Sequence, residues 1–132
     1  ISTVVSGELS SQCAYYTPEV LAEWKRTGWL DKEWSTQPGK VKRIKWTEME
    51  DRLKHDLLIK VENLTMPVLM IVGTGDDSTP VKHQQILYDA IPSFKKEFHI
   101  IEGAPHTFRD SEHLAEIKNI FDKWIKDTNG NN

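Results

Sequence analysis

What this chain is short of already narrows its function. It has one cysteine, Cys13, among 132 residues. That excludes an internal disulfide and any multi-cysteine zinc site, and it points to a reducing compartment, so the chain is expected in the cytoplasm. No apolar run approaches the roughly 20 residues needed to span a bilayer. Residues 1–12 lack the basic start and apolar middle of a secretory signal. Charge of either sign is not in excess: 17 basic against 20 acidic residues leave −3, which gives no basis for nucleic acid or an anionic membrane as partner. The apolar share is 38% and the mean hydropathy −0.54, as in a small domain with much surface. A chain of this length still buries roughly two-thirds of its unfolded surface.

What is there centres on Pro67–Pro80, PVLMIVGTGDDSTP. Val68–Val72 reads as a buried strand. It breaks at Gly73 into a loop carrying Asp76 and Asp77, and Pro80 precedes a helical stripe of Ile86, Leu87, Ala90 and Ile91 that stops at Pro92. KEFHIIE, residues 96–102, predicts a second strand, followed by the loop EGAPHTF with His106. The last helix is expected over Ser111–Lys126, with Ser111 as its cap and Leu114, Ile117, Phe121, Trp124 and Ile125 at helical spacing. Strand, helix, strand, helix with continuous apolar strands predicts parallel βαβ units and an α/β fold. A right-handed crossover then brings the carboxyl ends of both strands, and with them Asp76 and His106, to the sheet edge where ligands gather.

Ahead of this unit the pattern is looser. ISTVVSGEL predicts a core strand at once, an abrupt opening expected of a piece of a longer polypeptide. Thr17, Pro18 and Glu19 predict a helix start and Gly28 its end, with Val20, Leu21 and Trp24 on one face. Residues 29–56 read as irregular, with a turn at Pro38-Gly39 and a short exposed strand around Ile44 and Trp46. Residues 53–62 form a short helix candidate. Trp24, Trp29, Trp34 and Trp46 fall in this region. They are either the aromatic walls of a lid or the glue of a loosely built insert. The basic cluster Lys40, Lys42, Arg43, Lys45 reads as a solvated strand face. The organisation expected is therefore a core strand and its exit over 1–12, a cap-like helical insert over 13–63, and a C-terminal βαβα unit over 64–132.

Two motifs carry a resemblance. Pro67-Val-Leu-Met-Ile-Val-Gly73 with Asp76 three residues later and then Pro80, and Glu102-Gly-Ala-Pro-His106-Thr-Phe108, resemble the acid and histidine loops of α/β-hydrolases in order and separation. The resemblance covers about residues 64–126 and, more loosely, the strand and cap insert before them. It implies the C-terminal portion of an α/β-hydrolase fold and a Ser-His-Asp triad in the chain order Ser, acid, His. In that triad Asp76 is the acid, or its neighbour Asp77, and His106 the base. It implies a serine esterase cleaving a small-molecule ester (or amide), with no cofactor and no metal.

This sequence has no Gly-x-Ser-x-Gly and no Gly-x-Cys-x-Gly, and Ser2, Ser6, Ser10, Ser11, Ser35 and Cys13 sit in no such turn. The nucleophile is therefore expected from outside this chain, and no activity from the chain alone. The open sheet edge is expected to take the missing N-terminal half or a second copy of the chain. Two other readings compete. One is a non-catalytic half-fold that self-associates or docks on a partner through that edge. The other is a dinucleotide loop at Gly73-Thr-Gly75, against which stand the lack of a third glycine and two carboxylates where a pyrophosphate would bind.

Overall fold

A computed structural model of the chain describes residues 1–33 and 37–130. Trp34 and Ser35 lie outside the described residues. The chain forms two compact units, Ser6–Asp56 on the one hand and Ile1–Val5 with Leu57–Asn132 on the other.

The Ser6–Asp56 unit holds α1 (Gly7–Ser11), α2 (Pro18–Thr27), β1 (Trp29–Glu33), β2 (Val41–Lys45) and α3 (Trp46–Arg52). α2 begins and ends as the sequence predicts. The Thr17 hydroxyl accepts from Val20 N at 3.3 Å, Pro18 follows at the first position, and Gly28 closes the helix at φ 78. The segment beyond Gly28 is more regular than expected. β1 and β2 pair antiparallel, Trp29 opposite Lys45 and Asp31 opposite Arg43. The Gln37–Lys40 turn near their far ends has Pro38 second and Gly39 third, at φ 81, with Lys40 N donating to Gln37 O. Arg43 grips Asp31 with two bonds of 2.7 and 2.8 Å, so this part of the basic cluster is a cross-strand pair. Trp46 opens a helix instead of continuing the strand. Met49 gives that helix a buried side, and Glu48 and Arg52 pair one turn apart; the 53–62 candidate is met only by a 3-10 segment at Leu58–Asn63.

Trp24 is buried with Ile44 and Met49, its indole N–H donating to Ile44 O, and Trp46 packs edge-on against it. These two tryptophans build this unit's own core. Trp29 stays half-exposed and, with Val20, Trp24 and Leu30, lines a groove of about 510 Å³.

The second unit holds β3 (Val68–Gly75), α4 (Val81–Ala90), β4 (Lys96–Pro105) and α5 (Ser111–Asn129), with a short 3-10 segment at Leu58–Asn63. β3 and β4 pair in parallel from Val68–Lys96 to Gly73–Ile101, then shift register and meet again at Gly75–Pro105. This is the βαβα unit the pattern predicts. Leu69 and Ile71 face the side of α5, packing with Ile101, Ala104, Ile117 and Ile120, so the alternate residues Met70 and Val72 face the other way. α4 packs against β3.

Several details depart from the sequence reading. Residues 1–5 form no strand: Ser2 N donates to Ile71 O at 2.9 Å, and Ser6 then turns the chain into α1 by capping Leu9 N. α4 buries His83, Gln84 and Leu87 and leaves Ile86 exposed. Gln84 is tolerated inside because its amide donates to Thr3 O at 2.7 Å. Asp110, not Ser111, caps α5, accepting from Glu112 N at 2.8 Å. Leu114, Phe121 and Ile125 on α5 are exposed. No helix among the described residues is long and apolar enough to cross a membrane.

One lysine holds the α4–β4 connection. Lys96 Nζ donates to Tyr88 O at 2.6 Å and Ile91 O at 2.8 Å, capping carbonyls that the end of α4 leaves unpaired. Lys96→Met keeps the stem and removes both bonds, so it is expected to cost about 1–2 kcal/mol. The urea midpoint should fall without a change in slope.

Candidate active site

The β3–α4 turn is built around one carboxylate. Gly75 ends β3, and Asp76 folds its side chain back over the turn as an N-capping residue does. Oδ1 accepts from Ser78 N at 3.0 Å and Thr79 N at 2.7 Å, and Oδ2 accepts the Thr79 hydroxyl at 2.8 Å. Pro80 then sets the entry to α4. Asp76 is 2% exposed, yet each carboxylate oxygen has at least two partners.

His106 follows β4 and comes to the same place. Its Nδ1 lies 2.9 Å from Asp76 Oδ2. An ionised carboxylate only accepts, so this contact requires the proton on Nδ1 and leaves Nε2 with a free lone pair in the neutral ring. The imidazole is 44% exposed while the carboxylate beneath it is sealed off. The two strand ends are tied together one turn before. The Thr74 hydroxyl accepts from Gly103 N at 2.7 Å and donates to Glu102 Oε1 at 3.2 Å. Gly103 itself turns the chain at φ 70.

Of the two adjacent carboxylates, Asp76 is therefore the one that meets His106. Of the described serines considered as nucleophiles, Ser2 lies beside the pair through its backbone, its carbonyl oxygen 3.3 Å from the Thr79 hydroxyl oxygen. Ser6 and Ser11 are spent on helix contacts, with Leu9 N and Glu8 O, and Ser10 accepts from Arg52. Thr74 and Thr79 are the site residues that sequence reasoning missed. Among the described residues no group of three or more His, Cys, Asp or Glu side chains could hold a metal ion.

Two buried groups, Asp76 and His83, are expected to tie this unit's stability to pH. Burial alone would push the Asp76 carboxyl up, but the bonds from Thr79 N–H, His106 and the Thr79 hydroxyl, with the nearby imidazole, together hold it below its ordinary 3.8. Burial, helped by Lys82, holds the His83 imidazole below 6.5. In both cases the unfolded chain binds the proton more readily, so both contributions are present above the unfolded values and are lost as pH falls. Stability should decline below pH 6.5 as His83 takes up its proton and again below 3.8 as Asp76 does, with a slope of at most about 1.4 kcal/mol per pH unit for each group. Urea midpoints against pH test this: His83→Gln should flatten the upper part of the decline and leave the lower part.

Compared by sequence, the chain matches no protein-family model and no curated protein. Compared by structure, it matches solved hydrolases. Est1E from Butyrivibrio proteoclasticus with ferulic acid bound superposes over 78% of this chain with a TM-score of 0.61 at 16% identity. A monoacylglycerol lipase from Paleococcus ferrophilus does so over 87% with a TM-score of 0.63 at 20% identity. This chain has an α/β-hydrolase fold. The same holds for a protein from Agrobacterium vitis S4 described as a hydrolase, over 91% with a TM-score of 0.66 at 15% identity. The chain spans 37%, 54% and 46% of these three structures respectively, about half their length or less. In an α/β-hydrolase fold the carboxyl ends of the parallel strands form the edge where ligand-binding groups gather. The Asp76–His106 pair occupies that edge here, after β3 and β4.

Proposed function

We propose that this chain is the acid- and base-bearing part of a serine hydrolase that cleaves ester bonds through a Ser-His-Asp triad. The serine comes from outside these residues. The observation that carries this reading is the 2.9 Å contact between a fully sealed Asp76 and the half-open His106. Asp76 fixes the imidazole with its proton on Nδ1, and Nε2 faces outward as a general base able to take a serine proton and return it to the leaving group. The acid then steadies the imidazolium without itself becoming protonated. Fold neighbours that include an esterase and a lipase support a carboxylic ester as substrate class. The single cysteine supports a reducing compartment such as the cytoplasm.

The nucleophile would sit on a Gly-x-Ser-x-Gly turn, a motif this sequence lacks. Among the described residues β3 and β4 form a sheet of only two strands, so further parallel strands would extend it and bring that turn to the same edge. A fluorophosphonate probe, which reacts only with an activated serine, tests the proposal. The chain as it stands should take up no label. A polypeptide joining these residues to a strand–Gly-x-Ser-x-Gly–helix segment should be labelled at that serine. A joined polypeptide that folds and cleaves esters without labelling would overturn the assignment.

A further inference from the structure

Thr79 makes four polar contacts around the pair. Its N–H donates to Asp76 Oδ1 at 2.7 Å, and its hydroxyl lies 2.8 Å from Asp76 Oδ2, 3.3 Å from His106 Nδ1 and 3.3 Å from Ser2 O. The residue is buried, so no water competes for these bonds. A hydroxyl has one proton and two lone pairs. The shortest contact takes the proton to Asp76 Oδ2, which leaves a lone pair facing Nδ1. Only a protonated Nδ1 satisfies both that lone pair and the carboxylate. With the hydroxyl proton on Oδ2, a bare Nδ1 would face lone pairs of both Oγ1 and Oδ2, and turning that proton to Nδ1 would cost the buried carboxylate its 2.8 Å bond.

Ser2 supplies the fourth side of this cage. It is held at φ 47, in the left-handed region that a serine rarely occupies. Its N–H is tied to Ile71 O, and its carbonyl approaches Oγ1. The hydroxyl is thus bracketed by three groups from three segments.

We infer that Thr79 is a positioning residue that locks His106 in the Nδ1–H tautomer and holds the Asp76 carboxylate in the plane that receives it. This rests on the reading of Asp76 and His106 as a working acid–base pair. It adds that Asp76 alone does not suffice: with the hydroxyl gone, Oδ1 stays anchored by backbone N–H groups, while Oδ2 keeps the imidazole as its only side-chain partner and nothing opposes a bare Nδ1 from the threonine side.

Two-bond nitrogen–proton spectra of the uniformly nitrogen-15-labelled chain, recorded where the ring is neutral, give the Nδ1 and Nε2 shifts of His106 and so the tautomer ratio. The His106 signal is assigned by its loss in His106→Gln. Native chain and Thr79→Ser are expected to show Nδ1–H as the dominant form. Thr79→Val and Thr79→Ala should each move the ratio about tenfold toward Nε2–H, the scale of one hydrogen bond to a charged group, with the β3 and β4 amide signals in place. An unchanged ratio in whichever of these two variants folds overturns the inference, as does a Thr79→Ser ratio that follows Thr79→Val. Failure of the underlying pair looks different: the native chain would itself show mostly Nε2–H, and Asp76→Asn would change nothing.

Discussion

Asp76→Asn is expected to lower ester hydrolysis by about 10⁴-fold in a polypeptide that supplies the serine, with the fold intact. The reason lies in which oxygen the amide nitrogen must replace. Oδ1 accepts from two backbone donors, Ser78 N and Thr79 N. An asparagine would keep its own oxygen there and turn its NH₂ to the Oδ2 position, facing His106 Nδ1. Two donors cannot share a hydrogen bond, so Nδ1 gives up its proton and Nε2 takes one. The base then presents a proton where a lone pair is needed. His106→Ala removes the base altogether and should cost more, up to about 10⁶-fold as in other triads. The measurement is kcat for a chromogenic ester at neutral pH in each variant beside the parent. Losses below tenfold in both would leave the pair with no part in the chemistry. The two losses should not add, because acid and base act as one unit.

Much of this site is legible from residue types alone. A strand that ends at glycine, an acid three residues on and a histidine after the next strand put both groups on one edge by topology. The structure places Asp76 and His106 there in hydrogen-bond contact. The choice between Asp76 and Asp77 turns on the backbone: only Asp76 is placed to accept from the N–H groups two and three residues later. That spacing is a local signal, and it also marks Thr79, whose hydroxyl lies over the same carboxylate. Thr79 is hard to single out from sequence because a threonine before a proline reads as an ordinary turn residue.

Elsewhere the misses share a cause. Hydrophobicity alone picks out Ile86 on α4, and the helix instead buries His83 and Gln84. The residue that makes Gln84 acceptable, Thr3, is 81 positions away in sequence. The strand predicted over ISTVVSGEL fails for the same kind of reason. β-branched residues favour extension, but Ser6 and Gly7 offer a capped turn. Gly7 N then pairs with His55 O, a partner no local pattern reveals. Capping signals at Thr17, Pro18 and Gly28 succeed because every group involved lies within a few residues.

Gly73→Ala is expected to be the most destructive single-methyl change in the β3–β4 unit. A Cβ at this position would stand 1.9 Å from Ala104 O, 2.6 Å from its carbonyl carbon and 2.9 Å from its Cβ. The first two of those atoms are backbone of the neighbouring strand, so no rotamer change relieves the clash. β3 and β4 must separate just where their register shifts, between Gly73 and Gly75. The cost should reach or exceed the roughly 3 kcal/mol upper end of usual overpacking, a large part of a domain's stability of about 5–15 kcal/mol. Gly103→Ala separates steric from conformational cost. Gly103 has φ 70, but a methyl added there would meet nothing within 4 Å, so it should lose only about 1–2 kcal/mol. Urea unfolding of both variants decides the matter: equal losses would mean that close strand approach at Gly73 contributes nothing beyond ordinary glycine flexibility. The same separation would draw His106 from Asp76, since Pro105 pairs with Gly75 immediately before the histidine. In a serine-supplied polypeptide, Gly73→Ala should therefore lose hydrolysis even below its unfolding midpoint, whereas Gly103→Ala should keep it.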